Sequence, residues 1–155
     1  MTRRVMVAMA IVVAGLWWAN PLAGQGGDKG DKYTARLGWV PITGQDRANV
    51  TGKGTATATL SGTKLAISGT FEGLAAPATI ARLYRGVAKG ARSPEGTPAI
   101  ADLTITKATS GTISGSANLA PIDLDALKQG KLYIQVHSEK GVAPDGSNLW
   151  GWLMK

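Results

Sequence analysis

The sequence has no cysteine and a single histidine, His137. Without a thiol there is no disulfide staple, no residue to acylate for lipid anchoring and no thiolate for a metal. Leu22-Ala23-Gly24 opens like a lipoprotein processing box, but Gln25 stands where the acylated cysteine would be. One imidazole with no thiolate cannot supply the usual nitrogen and sulfur shell of copper or zinc, so no metal or other cofactor is expected. Catalytic spacing is missing too. Asp102, Asp123, Asp125 and Asp145 are scattered, no Gly-x-Ser-x-Gly elbow occurs, and any serine triad would have to use His137. A non-enzymatic role is the expectation.

Long apolar runs are absent beyond the first residues. Val5 to Ala19, interrupted by Gly15, follows Arg3 and Arg4 and is closed by Asn20-Pro21 and the small pair Ala23-Gly24. A charged start, a short apolar stretch and small residues make a secretory signal, assigned to residues 1–24 with cleavage near Ala23 or Gly24. The stretch is short for a permanent span, which takes about 20 apolar residues. An uncleaved anchor with Trp17 and Trp18 at the interface is the other reading. The first implies a periplasmic or secreted protein with no stable membrane insertion after cleavage.

Basic residues exceed acidic ones, giving a formal charge of +7, which becomes +5 without Arg3 and Arg4. That balance favours acidic surfaces or polysaccharides weakly and in a salt-sensitive way. The basic residues are dispersed singly, with no recognition helix and no aromatic RNA-binding strand, so nucleic acid is not an expected partner.

What remains suits one β domain. Residues 25–32 are glycine-rich and charged and read as a flexible leader. From residue 33 to 155 the pattern changes to short stretches of period two, punctuated by Gly, Pro, Ser and Asn. Thr55 to Leu60 alternates threonine with Ala56, Ala58 and Leu60; Leu65, Ile67 and Phe71 share one face of the next run, and Ser61-Gly62 joins the two as a hairpin. Further strands are expected at 33–40, 79–85, 100–107, 112–119, 131–138 and 148–153. About eight strands imply an antiparallel β-sandwich or Greek-key barrel. A short helix is expected over Asp123–Gln129, capped by Asp123 and stopped at Gly130, while Lys89–Pro98 reads as an irregular loop.

Alternation also sorts the polar and aromatic residues. Leu132, Ile134 and Val136 share a core face, and Tyr133, Gln135 and His137 share the opposite one, where His137 reads as a hydrogen-bonded surface or edge residue. Trp150 and Trp152 share a face opposite Leu149 and Leu153. Paired outward indoles make a platform for a sugar ring or a partner protein, or else they seal a barrel end or a dimer interface. Arg82, Tyr84, Tyr133, Gln135, Trp150 and Trp152 form one aromatic and basic face if their strands are neighbours.

The segments GTATATLSGTKLAISGTFEGL, PATIARLYRG, the short helix leading into KLYIQVHS, and LWGWL follow one another from Gly54 to Leu153. In that order they resemble the CHRD domain, a module named after chordin and found singly in bacterial exported proteins. The resemblance implies an immunoglobulin-like or superoxide-dismutase-like β fold and no established chemistry. It also implies two imidazoles in the strand after Pro-Ala-Thr, where this sequence has Arg82-Leu83-Tyr84, and more polar residues at the positions of Trp150 and Trp152. The expected function is binding or structural association at the cell envelope, with a protein or polysaccharide partner. The alternatives are a degenerate dismutase-like metal protein and an accessory subunit of a periplasmic enzyme complex.

Overall fold

Strict alternation from Thr55 to Leu60 puts three apolar side chains on one face, and the same period in Leu65, Ile67 and Phe71 supplies a partner that can cover the same core. The computed structural model describes residues 30–155 and pairs these two runs as β2 (Lys53–Ser61) and β3 (Lys64–Glu72), with Ser61 opposite Lys64. The two-residue loop is possible because Gly62 takes a φ of 61°, the left-handed region that a hairpin turn demands. Residues 1–29, including the expected signal segment and most of the leader, lie outside the described residues.

The other strands are β1 (Asp31–Trp39), β4 (Ala78–Arg85), β5 (Ala101–Ile105), β6 (Gly111–Asn118), β7 (Leu132–Val142) and β8 (Ser147–Trp152), with one helix, α1 (Pro121–Lys128). All neighbours are antiparallel, and the order β1-β2-β3-β6-β5-β4-β7-β8 closes on itself as a barrel. Of the two expected architectures the closed barrel is the one found. β4, β5 and β6 follow in hairpin order, and the crossover through α1 returns β7 to lie beside β4, which is Greek-key connectivity.

Interior side chains complement one another in size along each rung of the barrel. One rung runs Tyr33, Ala58, Ile67, Gly115; the next runs Ala35, Ala56, Gly69, Ile113; a third runs Leu37, Gly54, Phe71, Gly111. Large residues face small ones at most of these pairs, Tyr33 against Ala58 and Leu37 and Phe71 against Gly54 among them, as suits the interior of a closed barrel. On the other wall Leu83 lies opposite Ile134 and Ile134 opposite Gly151, so two large residues meet at one pair and a glycine makes room at the next. Closure at the β8–β1 seam is tight: a Cβ on Gly151 would lie 2.5 Å from the carbonyl oxygen of Arg36.

Three expectations are corrected. Asp31 and Lys32, placed in the leader, belong to β1 and pair with Leu60 and Thr59, because β2 is long enough to offer them ladder partners. β7 extends to Val142, past the expected end at residue 138, and folds directly into a turn with β8. The helix begins at Pro121 with Ala120 in the capping position and no side-chain cap. Proline needs no amide acceptor at the first helical position. Asp123 instead reaches across to accept a 2.7 Å bond from Arg85 Nη1, tying α1 to β4.

Interior fit predicts two costs. Ile134→Ala leaves a cavity in a fully buried site and is expected to lower unfolding free energy by about 2–5 kcal/mol. Gly54→Ala would drive a Cβ to 2.5 Å from the Thr70 carbonyl oxygen, and the overpacking is expected to cost roughly 1–3 kcal/mol. Denaturant unfolding of each variant measures both; a change under 0.5 kcal/mol at either position would contradict this packing scheme.

Candidate functional site

The outer wall of β4, β7 and β8 carries the residues singled out by alternation, and the ladder brings them together. Arg82 lies opposite Gln135 and Tyr84 opposite Tyr133, while Tyr133 lies opposite Trp152 and Gln135 opposite Trp150. The aromatic rings are in contact. Tyr84 stacks on Tyr133 at 5.4 Å between centroids, Trp152 lies 4.6 Å from Tyr133, and Trp150 and Trp152 meet edge-on at 6.0 Å. Arrangements of this kind contribute packing energy beyond the area they bury.

Two of the expected features take another form. Tyr133, Gln135 and His137 are not exposed: their residual exposures are 2, 4 and 2 %. The cause is tertiary. The β4–β5 connection folds back over this wall, where Ser93 N–H donates to the Tyr133 hydroxyl at 3.3 Å and Ser93 Oγ donates to the Arg85 carbonyl. The β7–β8 turn roofs the other end. His137 is therefore a buried residue and not a surface or edge one. Its Nδ1 lies 2.9 Å from the Asp145 carbonyl oxygen, which can only accept, so Nδ1 carries the proton; Nε2 has no hydrogen-bond partner. Trp150 and Trp152 stand on the outer wall half-buried, and Arg82 is engaged through Nε by Asp102 at 2.8 Å.

Asp145 and Ser147 were not among the expected site residues. The sequence signal was the Asp-Gly pair, a turn in which Asp commonly bonds the backbone two residues on. Gly146 takes a φ of 75° there, and Asp145 Oδ1 accepts both Ser147 N–H at 3.1 Å and Ser147 Oγ–H at 2.6 Å. Burial pushes the Asp145 carboxyl up, but the Ser147 hydroxyl and amide, with His137 nearby, more than offset it and hold the group below its ordinary value. Gln135 Nε2 completes the chain by donating to Ser147 Oγ. A serine nucleophile needs its hydroxyl bonded to a base nitrogen; Ser147 gives its proton to a carboxylate instead and is buried.

Between the two loops lies a cavity of about 190 Å³ with Tyr84, Tyr133, Gln135 and Ser147 on its floor and walls. Arg92, Glu95 and Thr97 approach from one loop, Pro144 and Asp145 from the other, and Val40 and Pro41 close the side after β1. No group of three or more His, Cys, Asp or Glu able to hold a metal occurs among the described residues. No helix among them is long and apolar enough to cross a membrane.

Residues 40–146 match the model of the CHRD domain. The chain belongs to the CHRD domain family. The matched range includes β2 to β7 and α1, and it ends one residue before β8. The barrel of this CHRD protein is thus completed by two strands outside the match, β1 and β8, and Trp150 and Trp152 lie on the second of them. Neither a curated protein nor a solved structure matches the chain.

A depressed carboxyl stabilises the folded form while ionised. Asp145 therefore contributes in full above its unfolded value of about 4, and the contribution is lost as pH falls through the lowered folded value. The melting-temperature gap between the parent and Asp145→Asn is expected to be open at pH 7 and to close toward pH 2. A gap that does not change with pH would show that Asp145 carries no such linkage.

Proposed function

We propose that this CHRD protein is an exported, non-enzymatic binding module that works at the cell envelope through the outer wall of β4, β7 and β8. The observation that carries the reading is the convergence on that wall of an aromatic cluster and a polar cavity, both built by side chains from separate strands and loops. A barrel core alone does not require this. Two half-buried tryptophans in contact with Tyr133, itself part of the cavity lining, offer flat apolar area near directed polar groups, the combination on which binding energy concentrates.

Export belongs to the same reading and rests on the layout of Arg3-Arg4, the apolar run and the small residues at 23–24. The partner is a polysaccharide or a protein of the envelope. The positive charge of the chain adds a weak, salt-sensitive attraction to that surface. We also read the Greek-key barrel as immunoglobulin-like or superoxide-dismutase-like in class, with the scaffold kept and no metal chemistry attached to it.

Retention of the exported protein on isolated envelope material tests the reading. Trp150→Ala is expected to weaken retention about tenfold, or about 1.4 kcal/mol, while the melting temperature stays within a few degrees of the parent. Retention equal to that of the parent would remove the wall from the binding site.

A further inference from the structure

We propose that the cavity between the β4–β5 loop and the β7–β8 turn takes one neutral sugar ring, read by Gln135, with Asp145 and Ser147 as positioning residues. The proposal rests on the binding reading above and deepens it.

The polarity of the hydrogen bonds fixes which atom of Gln135 is offered. An ionised carboxylate only accepts, so Ser147 must give its hydroxyl proton to Asp145 Oδ1. Ser147 Oγ then has only lone pairs left for Gln135, which must present its amide NH₂. That assigns the Gln135 amide without ambiguity and leaves Oε1 as an acceptor. No donor among the described residues engages Oε1, and it is not among the sealed, unpartnered atoms, so it opens on the cavity that Gln135 lines.

Tyr133 supplies the opposite group. Its oxygen accepts from Ser93 N–H, which leaves the phenolic proton free to donate. Tyr133 and Gln135 are two positions apart on one strand face, roughly 7 Å along the strand. A phenolic donor and an amide acceptor on one strand face suit a ring carrying several hydroxyls, each of which both gives and takes a bond.

Size, shape and charge narrow the class. About 190 Å³ lies below the roughly 300 Å³ at which pockets for drug-sized ligands begin, so the occupant is a single compact ring or a chain end. The Tyr84 ring, stacked on Tyr133, gives one flat wall. Arg92 is outnumbered by Glu95 and Asp145 around the opening, which disfavours an anionic ligand such as a phosphate or a uronic acid. Gln135 and Ser147 are buried and already held, so little ordering is left to be done on binding.

Saturation-transfer NMR on the exported protein, with glucose, galactose, mannose and N-acetylglucosamine as probes and glucuronate as the anionic control, tests this. At least one neutral sugar is expected to bind in the millimolar range and glucuronate is not. Gln135→Leu is expected to weaken the bound sugar tenfold or more. Ser147→Ala, which keeps Gln135 but frees its amide, is expected to weaken it severalfold, with near-UV circular dichroism unchanged. If Gln135→Leu does not fold, Tyr84→Ala on the half-buried wall takes its place with the same expected loss. No binding of any neutral sugar, tighter binding of glucuronate, or equal binding in the variants would overturn the proposal. Envelope retention separates the two readings. If it still depends on Trp150 while no sugar binds, the sugar assignment alone falls and the wall serves a protein partner; if retention is absent too, both fall.

Discussion

The complementarity of large and small side chains around one closed interior is the constraint on which the molecule depends. With no disulfide and no metal ligand cluster among the described residues, the barrel is held by side-chain burial together with its strand hydrogen bonds and a few ion pairs. Gly54, Gly69, Gly115 and Gly151 face the interior where Leu37, Ile113, Leu103 and Leu37 again press inward. Each glycine gives up side-chain contact so that a neighbour can fill the shared space.

The cavity over the outer face of β4, β7 and β8 follows from the length of the chain that crosses it. The β4–β5 connection is long, whereas β2–β3 needs two residues to turn. The surplus chain folds back, and its Ser93 is the peg that fastens it to Tyr133 and Arg85. The β7–β8 turn is fastened in turn by Asp145 on Ser147 and His137. Between two loops pinned by buried hydrogen bonds, a cavity persists instead of collapsing.

The family match and the architecture do not coincide at their ends. β1 and β8 flank the matched residues, yet they zip the barrel shut through Gly38 opposite Trp150 and Trp39 opposite Leu149. The tryptophans most characteristic of this wall therefore stand where the match to the family has ended. Their place next to Gln135 and Tyr133 joins a feature of this chain to the strand it shares with the family.

Local pattern was enough for the strands, because a period of two writes inside and outside directly into residue type. Ala56, Ala58, Leu60, Leu65, Ile67 and Phe71 are buried where alternation put them, and Leu149 and Leu153 face inward opposite Trp150 and Trp152. The same alternation misread Tyr133, Gln135 and His137 as exposed, since it distinguishes two faces of a strand and knows nothing of a loop that later covers one. Asp102 and Asp123 looked scattered for a related reason: their partners Arg82 and Arg85 lie 20 and 38 residues away and are brought near only by the fold, whereas Asp145 meets Ser147 two residues on and His137 across the β7–β8 hairpin. Sequence by itself determined the strand periodicity, the freedom from disulfides and the composition of the core, which are local properties. Tertiary structure decided the closure, the cavity and the orientation of Gln135, because each depends on contacts between residues far apart along the chain.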